Sequence, residues 1–439
     1  MAEVIIGKLV FGKDGLNYGL ELCLARAGLT AYPVTESTAS GCDILLVSMF
    51  WYRNLYELIA FMRKAGIKRG TGRPWIIAGG MQATMTPEAV AGLVDYVFVG
   101  DGDDHLAAVV SEIASSGKCT HPHIYATGMD HVPAPAACKP SGFAITTNEE
   151  GGTIRVEIAR GCRYKCAFCC LSGLKPYAEV PFSEIEPIIK RASGKRCSFF
   201  APERTKHSEW HAIKDAMRRY NCHDLGQDAR LENLQEVDGA SVTFGLEGLS
   251  ERLRRSIGKP FSDDMILDRM RQFVESRKNV ARVSAYFIAG LPGETEEDWN
   301  AVWNLFEAIS KAEWSRRLVF CPVLNPLSPK PYTRLSSAEI DLFADYGHKW
   351  QKLLRRDGGQ WGFRVIETLV WGPLERTMDA VVQRSGAAFG DIARSWPQTY
   401  KPTLPPLDKR ARAARQLLAI CERNGLAQAT LEGRNAPQA

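Results

Sequence analysis

Apolar residues in the first 130 positions fall in short runs of strand length. Each run is followed by a glycine-containing turn and a stretch whose apolar residues recur at helical spacing. Glu3–Val10 is the first run, and Leu16, Leu20, Cys23, Leu24 and Ala27 follow it on one helical face. Asp43–Ser48 (DILLVS) leads into a helix near Leu55–Lys64. Pro74–Ala78 ends at Gly79-Gly80 ahead of a helical Pro87–Leu93, and Val94–Val99 ends at Gly100-Asp101-Gly102. Unbroken apolar strands that feed helices through glycine turns predict a doubly wound, Rossmann-like parallel sheet over residues 1–130.

Thr120–Gly152 is rich in Pro, Gly, His and Asn with little periodicity, which predicts a linker over residues 131–152. A second series of strands begins at Thr153–Ile158 and continues at Cys197–Ala201, Ala240–Leu246, Val283–Ile288 and Arg317–Phe320. Helical stretches such as Ser262–Glu275 and Thr295–Ile309 lie between them. The pattern predicts an α/β protein with a partial β/α, TIM-like barrel over residues 153–330, whose active groups sit at the carboxyl ends of the strands. Residues 331–439 form a smaller C-terminal accessory region of mixed character, with the basic run Lys409–Arg423 read as a solvated helix face.

Composition changes this picture little. The chain has 439 residues, 45% hydrophobic and 24% charged, with a net charge of +5. That balance does not indicate a nucleic-acid binder. The amino terminus lacks the charged lead and small-residue cleavage site of a signal peptide, and no apolar stretch reaches bilayer-spanning length. The expectation is a cytoplasmic protein without a membrane partner. Its twelve cysteines are then thiols or metal ligands rather than disulfides.

Eight cysteines are scattered singly, and four lie together between Cys162 and Cys170. Cys162, Cys166 and Cys169 have C-x3-C-x2-C spacing directly after a predicted strand. Three thiolates on one loop can hold three irons of a cubane and leave the fourth iron for an exchangeable ligand, whereas iron–sulfur clusters usually take four protein thiolates. The alternative is a structural zinc ion, which wants four closed ligands, commonly from two separated pairs. No second pair lies nearby, although Cys170 is available as a fourth thiolate.

With this loop the sequence resembles the radical S-adenosylmethionine superfamily, and the resemblance extends over Thr153–Phe320. It implies a [4Fe–4S] cluster on Cys162, Cys166 and Cys169 whose open iron is chelated by S-adenosylmethionine, which one electron cleaves to methionine and a 5′-deoxyadenosyl radical. Phe168 matches an aromatic common before the last cysteine, and packs equally well as core. Gln227-Asp228-Ala229-Arg230-Leu231 is similar to the strand-four segment whose arginine faces the S-adenosylmethionine carboxylate. Phe244–Leu253, with Glu247, resembles the "GLES" segment of the methylthiotransferase-like branch, and Gly258-Lys259 stands at its glycine–lysine pair. Phe287–Thr295 resembles its "GLPGET" turn, which implies that Gly290 and Pro292 lie by the adenine and that Glu294 and Thr295 cap the next helix. Glu203, in Phe199-Phe200-Ala201-Pro202-Glu203, stands where the family has a glutamate for the S-adenosylmethionine amino group, although Pro202 removes a backbone donor there. The resemblance also implies an electron donor such as flavodoxin or ferredoxin.

Gly79-Gly80 and Gly100-Asp101-Gly102-Asp103, placed before such a barrel, resemble the cobalamin-binding domain of cobalamin-dependent radical enzymes. That resemblance implies cobalamin contacts at Ser48, Gly79, Gly80 and Gly100. Asp14-Gly15-Leu16-Asn17-Tyr18-Gly19 has the Asp and Gly of the cobalamin D-x-H-x-x-G motif with Leu16 at the histidine position, implying base-off binding with no histidine ligand from this loop. The implied activity is methyl transfer to an unactivated carbon or phosphorus centre. The alternative keeps the radical cluster and drops cobalamin. True methylthiotransferases carry three further cysteines in the amino-terminal domain, and here Cys23, Cys42, Cys119 and Cys138 do not match that framework.

Overall fold

The computed structural model describes residues 4–12, 17–147, 153–355, 361–366, 370–401 and 403–434. It divides into two compact units. One comprises Met1–Cys138, Pro329–Tyr332 and Pro373–Ala439, and the other Lys139–Ser328 and Thr333–Gly372. Residues 331–439, read from the sequence as one accessory region, are thus distributed between the two.

The first unit holds six strands: β1 (Ile6–Val10), β2 (Tyr32–Pro33), β3 (Ile44–Ser48), β4 (Trp75–Gly79), β5 (Tyr96–Phe98) and β6 (Ile124–Tyr125). Their order is β2-β1-β3-β4-β5-β6, and only β6 runs antiparallel. Ile44, Leu45, Leu46 and Val47 on β3 and Ile76, Ile77 and Ala78 on β4 are all buried, because helices cover both faces of a parallel sheet. The strand order reverses between β1 and β3, the position at which such sheets open a ligand crevice at their carboxyl ends.

The C-terminal helices complete this unit. Helix Pro373–Arg384 is buried from Leu374 through Val382. Tyr56 donates its hydroxyl to the carbonyl of Met378 (3.1 Å), and its ring lies 5.2 Å from Phe389 and 5.9 Å from Trp396. Helix Leu407–Arg423 corrects the solvated-face reading in part. Lys409, Arg412, Arg415 and Arg423 are exposed, while Ala413, Ala414, Leu417, Leu418, Ile420 and Cys421 pack inward. The stripe recurs at helical spacing, and the surrounding charges obscure it in the sequence.

The second unit has strands β7 (Ala144–Thr147), β8 (Thr153–Glu157), β9 (Ala159–Arg160), β10 (Ala178–Glu179), β11 (Arg196–Phe200), β12 (His223–Asp224), β13 (Ser241–Glu247), β14 (Ala281–Ala289), β15 (Leu318–Pro326) and β16 (Arg364–Val365). Two four-stranded sheets form, β12-β11-β8-β7 and β13-β14-β15-β16, beside the small β9–β10 pair. Between the two sheets, Asp228, four residues beyond β12, makes an isolated parallel bridge to Thr243 on β13. Two sequence expectations change here. The segment Gln227–Leu231 is no regular strand: only its bridge to Thr243 pairs, and a 3-10 helix (Leu231–Glu236) starts straight after Arg230. Within the predicted linker, Ala144–Thr147 forms β7, antiparallel to β8. Four residues are too few to show a period, so the partner strand decides.

An aromatic core explains why Thr333–Gly372 belongs to this unit. Trp350, fully buried, lies 5.4 Å from Phe287 and 6.0 Å from Phe306, and Phe363 packs 5.6 Å from Phe320.

Candidate functional site

The cysteine loop leaves the sheet at the carboxyl end of β8. Gly161, at φ 71°, turns it, and a side chain there would sit 2.3 Å from the Pro176 carbonyl oxygen. The loop is tied down from several sides. Ala167 donates its N–H to Ile257 (3.0 Å) and accepts from Leu335 (3.2 Å), while Phe168 packs against the barrel core. Arg163 pairs with Glu179 at 2.8 Å and lies over the Tyr177 ring. Gly258, at φ 82°, passes close to the backbone of Lys165 and Cys166. Burial pushes the Cys162 thiol up and the Cys169 thiol to about 11, and Cys166 adds to both. The thiols therefore share one electrostatic site.

Among the described residues, no three His, Cys, Asp or Glu side chains are grouped so as to hold a single metal ion. A cubane asks for one iron per thiolate at separate corners, and three soft sulfurs on one short loop fit that demand.

Three of the anticipated cofactor residues gather beside this loop. Arg230 is buried, with its guanidinium 3.6 Å from the centre of the Tyr164 ring and 5.2 Å from that of Phe261, and it donates to Glu232 at 2.9 Å. Tyr164 belongs to the cysteine loop, so Arg230 and the cluster ligands are held in one arrangement. Glu203 accepts a hydrogen bond from Thr205, whose hydroxyl also accepts from Asn233 (3.0 Å). Arg204 binds Asp224 and the Gly226 carbonyl, fastening the Glu203 loop to the segment that leads to Arg230. A side chain at Gly226 would collide with that guanidinium. Glu247 ends β13 at φ 68°, a left-handed conformation that is costly for a residue with a side chain, beside a register shift in the β13–β14 pairing. Lys259 sits 3.6 Å from its carboxylate and donates to the Gly245 carbonyl (3.0 Å).

Burial raises the Glu203 and Glu247 carboxyls above their ordinary value. Thr205 and Arg230 oppose the rise at Glu203, and Lys259 and Arg230 oppose it at Glu247. The folded protein then keeps protons that the unfolded chain has released, so stability falls as pH rises from about 4.3 toward the raised values. Melting temperature of cluster-free protein is expected to decline across that window, with a shallower decline in Glu247→Gln. An unchanged slope in that variant would count against the burial argument.

Gly290 and Pro292 lie in the turn after β14, whose Phe287 pairs with Glu247 at the end of β13. The Gly290–Glu294 turn lines a cleft of about 510 Å³ with Ala338, Glu339 and Tyr346. Gly290 adopts φ 80°, and a side chain there would meet the Tyr346 hydroxyl at 2.5 Å. Glu294 corrects the capping expectation: its carboxylate accepts from the Gly290 N–H (2.8 Å) and from Trp299 Nε1 (3.0 Å), bracing the turn. Thr295 caps helix Glu296–Lys311 through a reciprocal box with Asp298.

In the first unit, Ser48 and Gly79 pair at the carboxyl ends of β3 and β4. Gly80 and Gly100 have internal reasons to be glycine. At φ 104°, a side chain on Gly80 would lie 2.6 Å from the Met49 carbonyl oxygen; at φ 106°, one on Gly100 would lie 2.2 Å from the Ala136 nitrogen. Gly79 has nothing nearer than Phe98, at 3.9 Å. Asp14, Gly15 and Leu16 lie outside the described residues.

Motif reading missed Arg204, Tyr164 and Glu232. Only the spacing of Tyr164 between two cysteines hints at its place.

Residues 156–305 match the family model described as the Radical SAM superfamily, and residues 30–124 match the one described as Radical SAM proteins, N-terminal. The chain is a radical S-adenosylmethionine protein. Among curated proteins it is 26% identical over 231 residues to an uncharacterized protein of Methanocaldococcus jannaschii, covering 48% of this chain and 50% of that one. It is 23% identical over 258 residues to the ribosomal protein methylthiotransferase RimO of Bordetella pertussis, covering 52% and 56%. The chain thus spans about half the length of the curated relatives it matches. Among solved structures, the cobalamin-dependent S-adenosylmethionine radical enzyme OxsB shares the fold. It aligns at 13% identity with a TM-score of 0.51, over 87% of this chain and 61% of that one. No described helix is long and apolar enough to cross a membrane.

Proposed function

We propose that this protein is a cobalamin-dependent radical S-adenosylmethionine methyltransferase acting on an unactivated carbon or phosphorus centre in the cytoplasm. The observation that carries the radical half of the reading is the meeting of the Cys162–Cys169 loop with Arg230, Glu203 and Glu247. When bound, the cluster and S-adenosylmethionine supply a 5′-deoxyadenosyl radical, and cobalamin supplies a transferable methyl group.

Within this reading Cys162, Cys166 and Cys169 hold the cluster. Arg230 takes the S-adenosylmethionine carboxylate, and Glu203 and Glu247 line the same cradle. Gly290 and Pro292 present backbone to the adenine. Ser48 and Gly79, at the carboxyl ends of β3 and β4, support the cobalamin assignment, with Gly80 and Gly100 shaping the loops around them. Flavodoxin or ferredoxin delivers the electron.

The test is anaerobic, reconstituted protein reduced with S-adenosylmethionine present, followed by titration with cobalamin. The reading expects 5′-deoxyadenosine and a visible spectrum of bound cobalamin. A second reading, radical modification without cobalamin, is favoured by the internal packing that already accounts for Gly80 and Gly100. It expects 5′-deoxyadenosine with no cobalamin bound.

A further inference from the structure

We propose that the first unit holds a further ligand site, at the amino ends of β4 and β5, that takes a small soluble phosphate monoester with an apolar body. It lies at the end of the sheet opposite the carboxyl ends where Ser48 and Gly79 pair, and it takes no part in the radical chemistry.

A cleft of about 520 Å³ opens there, the size of an ordinary small-molecule pocket. Helix Arg53–Ala65 ends at Gly66, and the chain continues through Ile67, Lys68 and Arg69 towards β4, while Leu93 stands just ahead of β5. Arg394 and Tyr400, from the carboxyl-terminal segment of the same unit, close the other side. Ile59, Ile67 and Leu93 form a buried apolar floor, and Met62 and the Tyr400 ring are half-buried beside it. Such a floor gains from covering by an apolar body.

The rim carries one sign of charge. Arg63, Lys68, Arg69 and Arg394 all line the cleft with exposed side chains, and among the described residues no carboxylate lines it. Arg63 lies over the Tyr400 ring at 4.2 Å, and the Tyr400 hydroxyl donates to the Arg394 carbonyl (3.3 Å), so these three are held together. Arg69 donates to the Ala91 carbonyl (2.8 Å) and to the Thr127 hydroxyl, which fix its guanidinium without neutralising it. Two carboxylates stand behind the rim. Asp391 pairs with Arg394 at 2.9 Å, and Asp95 acts on Arg69 while accepting from the Gly70 and Ile76 N–H groups. Four positive charges against two negative leave two, which matches the dianion of a phosphate monoester. A cleft lined by one sign of charge concentrates the opposite one, and guanidinium forks suit phosphate oxygens.

The experiment measures binding of phenyl phosphate, inorganic phosphate and phenol to the full-length, cluster-loaded protein by calorimetry. Phenyl phosphate is expected to bind saturably and about tenfold or more tighter than either fragment, because it alone engages both floor and rim. The double variant Arg63→Gln, Lys68→Gln should lose about tenfold or more in phenyl phosphate affinity, the effect of removing charged contacts. Its melting temperature without ligand should stay level or rise, since like charges have been removed. The control Lys409→Gln, Arg412→Gln takes the same charge from the exposed face of helix Leu407–Arg423 and should bind as wild type does. Equal losses in the two double variants would reduce the effect to overall charge and overturn the site. Inorganic phosphate binding as tightly as phenyl phosphate would overturn it as well, as would the absence of saturable binding. Protein that floats with phosphatidate vesicles and is not released by phenyl phosphate would place the phosphate on a membrane surface and overturn the soluble ligand.

Discussion

Cys166→Ala protein is expected to fold and to hold almost no iron, falling from about four atoms per chain to fewer than one after reconstitution. Formation of 5′-deoxyadenosine should drop at least ~100-fold, since two thiolates leave the cubane incompletely ligated. Stability should change by less than about 1 kcal/mol, because Cys166 is half-buried and its loop is held by backbone bonds from Ala167 and by the Arg163–Glu179 pair. The informative comparison is Cys170→Ala. The backbone carbonyl of Cys170 accepts from Gly173 (3.1 Å) and Leu174 (2.9 Å), bonds that alanine keeps. Iron quantitation should show Cys170→Ala fully loaded; a parallel loss of iron in both variants would mean that the loop uses four thiolates.

Gly100→Ala is expected to destabilise the first unit by more than about 3 kcal/mol, measured by denaturant unfolding of cobalamin-free protein. The new methyl group would lie 2.2 Å from the Ala136 nitrogen, and the residue must hold φ 106°. Backbone occupies that space and has no rotamer with which to move aside. Gly100 also donates its N–H to the Thr84 hydroxyl (2.9 Å) while Ala136 donates to Val99 (2.9 Å), so any shift propagates into the end of β5. Gly79→Ala should cost under about 1 kcal/mol, as nothing crowds that position. Cobalamin affinity lost in Gly79→Ala would then report on the ligand rather than on the fold. A Gly100→Ala protein as stable as wild type would show that the β5 loop relaxes freely.

These two variants also show which features the sequence displays. Buried parallel strands read as continuous apolar runs, so DILLVS marked β3 to within a residue, and the glycine turns marked strand ends. Helix starts at Ser262 and Thr295 were visible because their side chains and near neighbours do the capping. The cysteine loop was legible because all three thiols lie within eight residues. Groups joined across long separations were not. Arg204 meets Asp224 across twenty positions, and the positive φ of Glu247 follows from the register shift against β14. Glycine is ambiguous for the same reason: Gly80 and Gly100 look alike in a ligand loop and in a loop packed on its own backbone.

The chain passes between its two compact units four times, at Cys138–Lys139, Ser328–Pro329, Tyr332–Thr333 and Gly372–Pro373. The stretch of the first unit that matches a family model, residues 30–124, is therefore much smaller than the unit itself. A gene fragment ending after the barrel would leave Tyr56 without the Met378 carbonyl and without the rings of Phe389 and Trp396. The amino-terminal sheet is consequently not a cassette that recombination could lend to another protein by copying one contiguous exon-sized block. Its packing is completed by the carboxyl-terminal helices, which the chain reaches only after the barrel has been made.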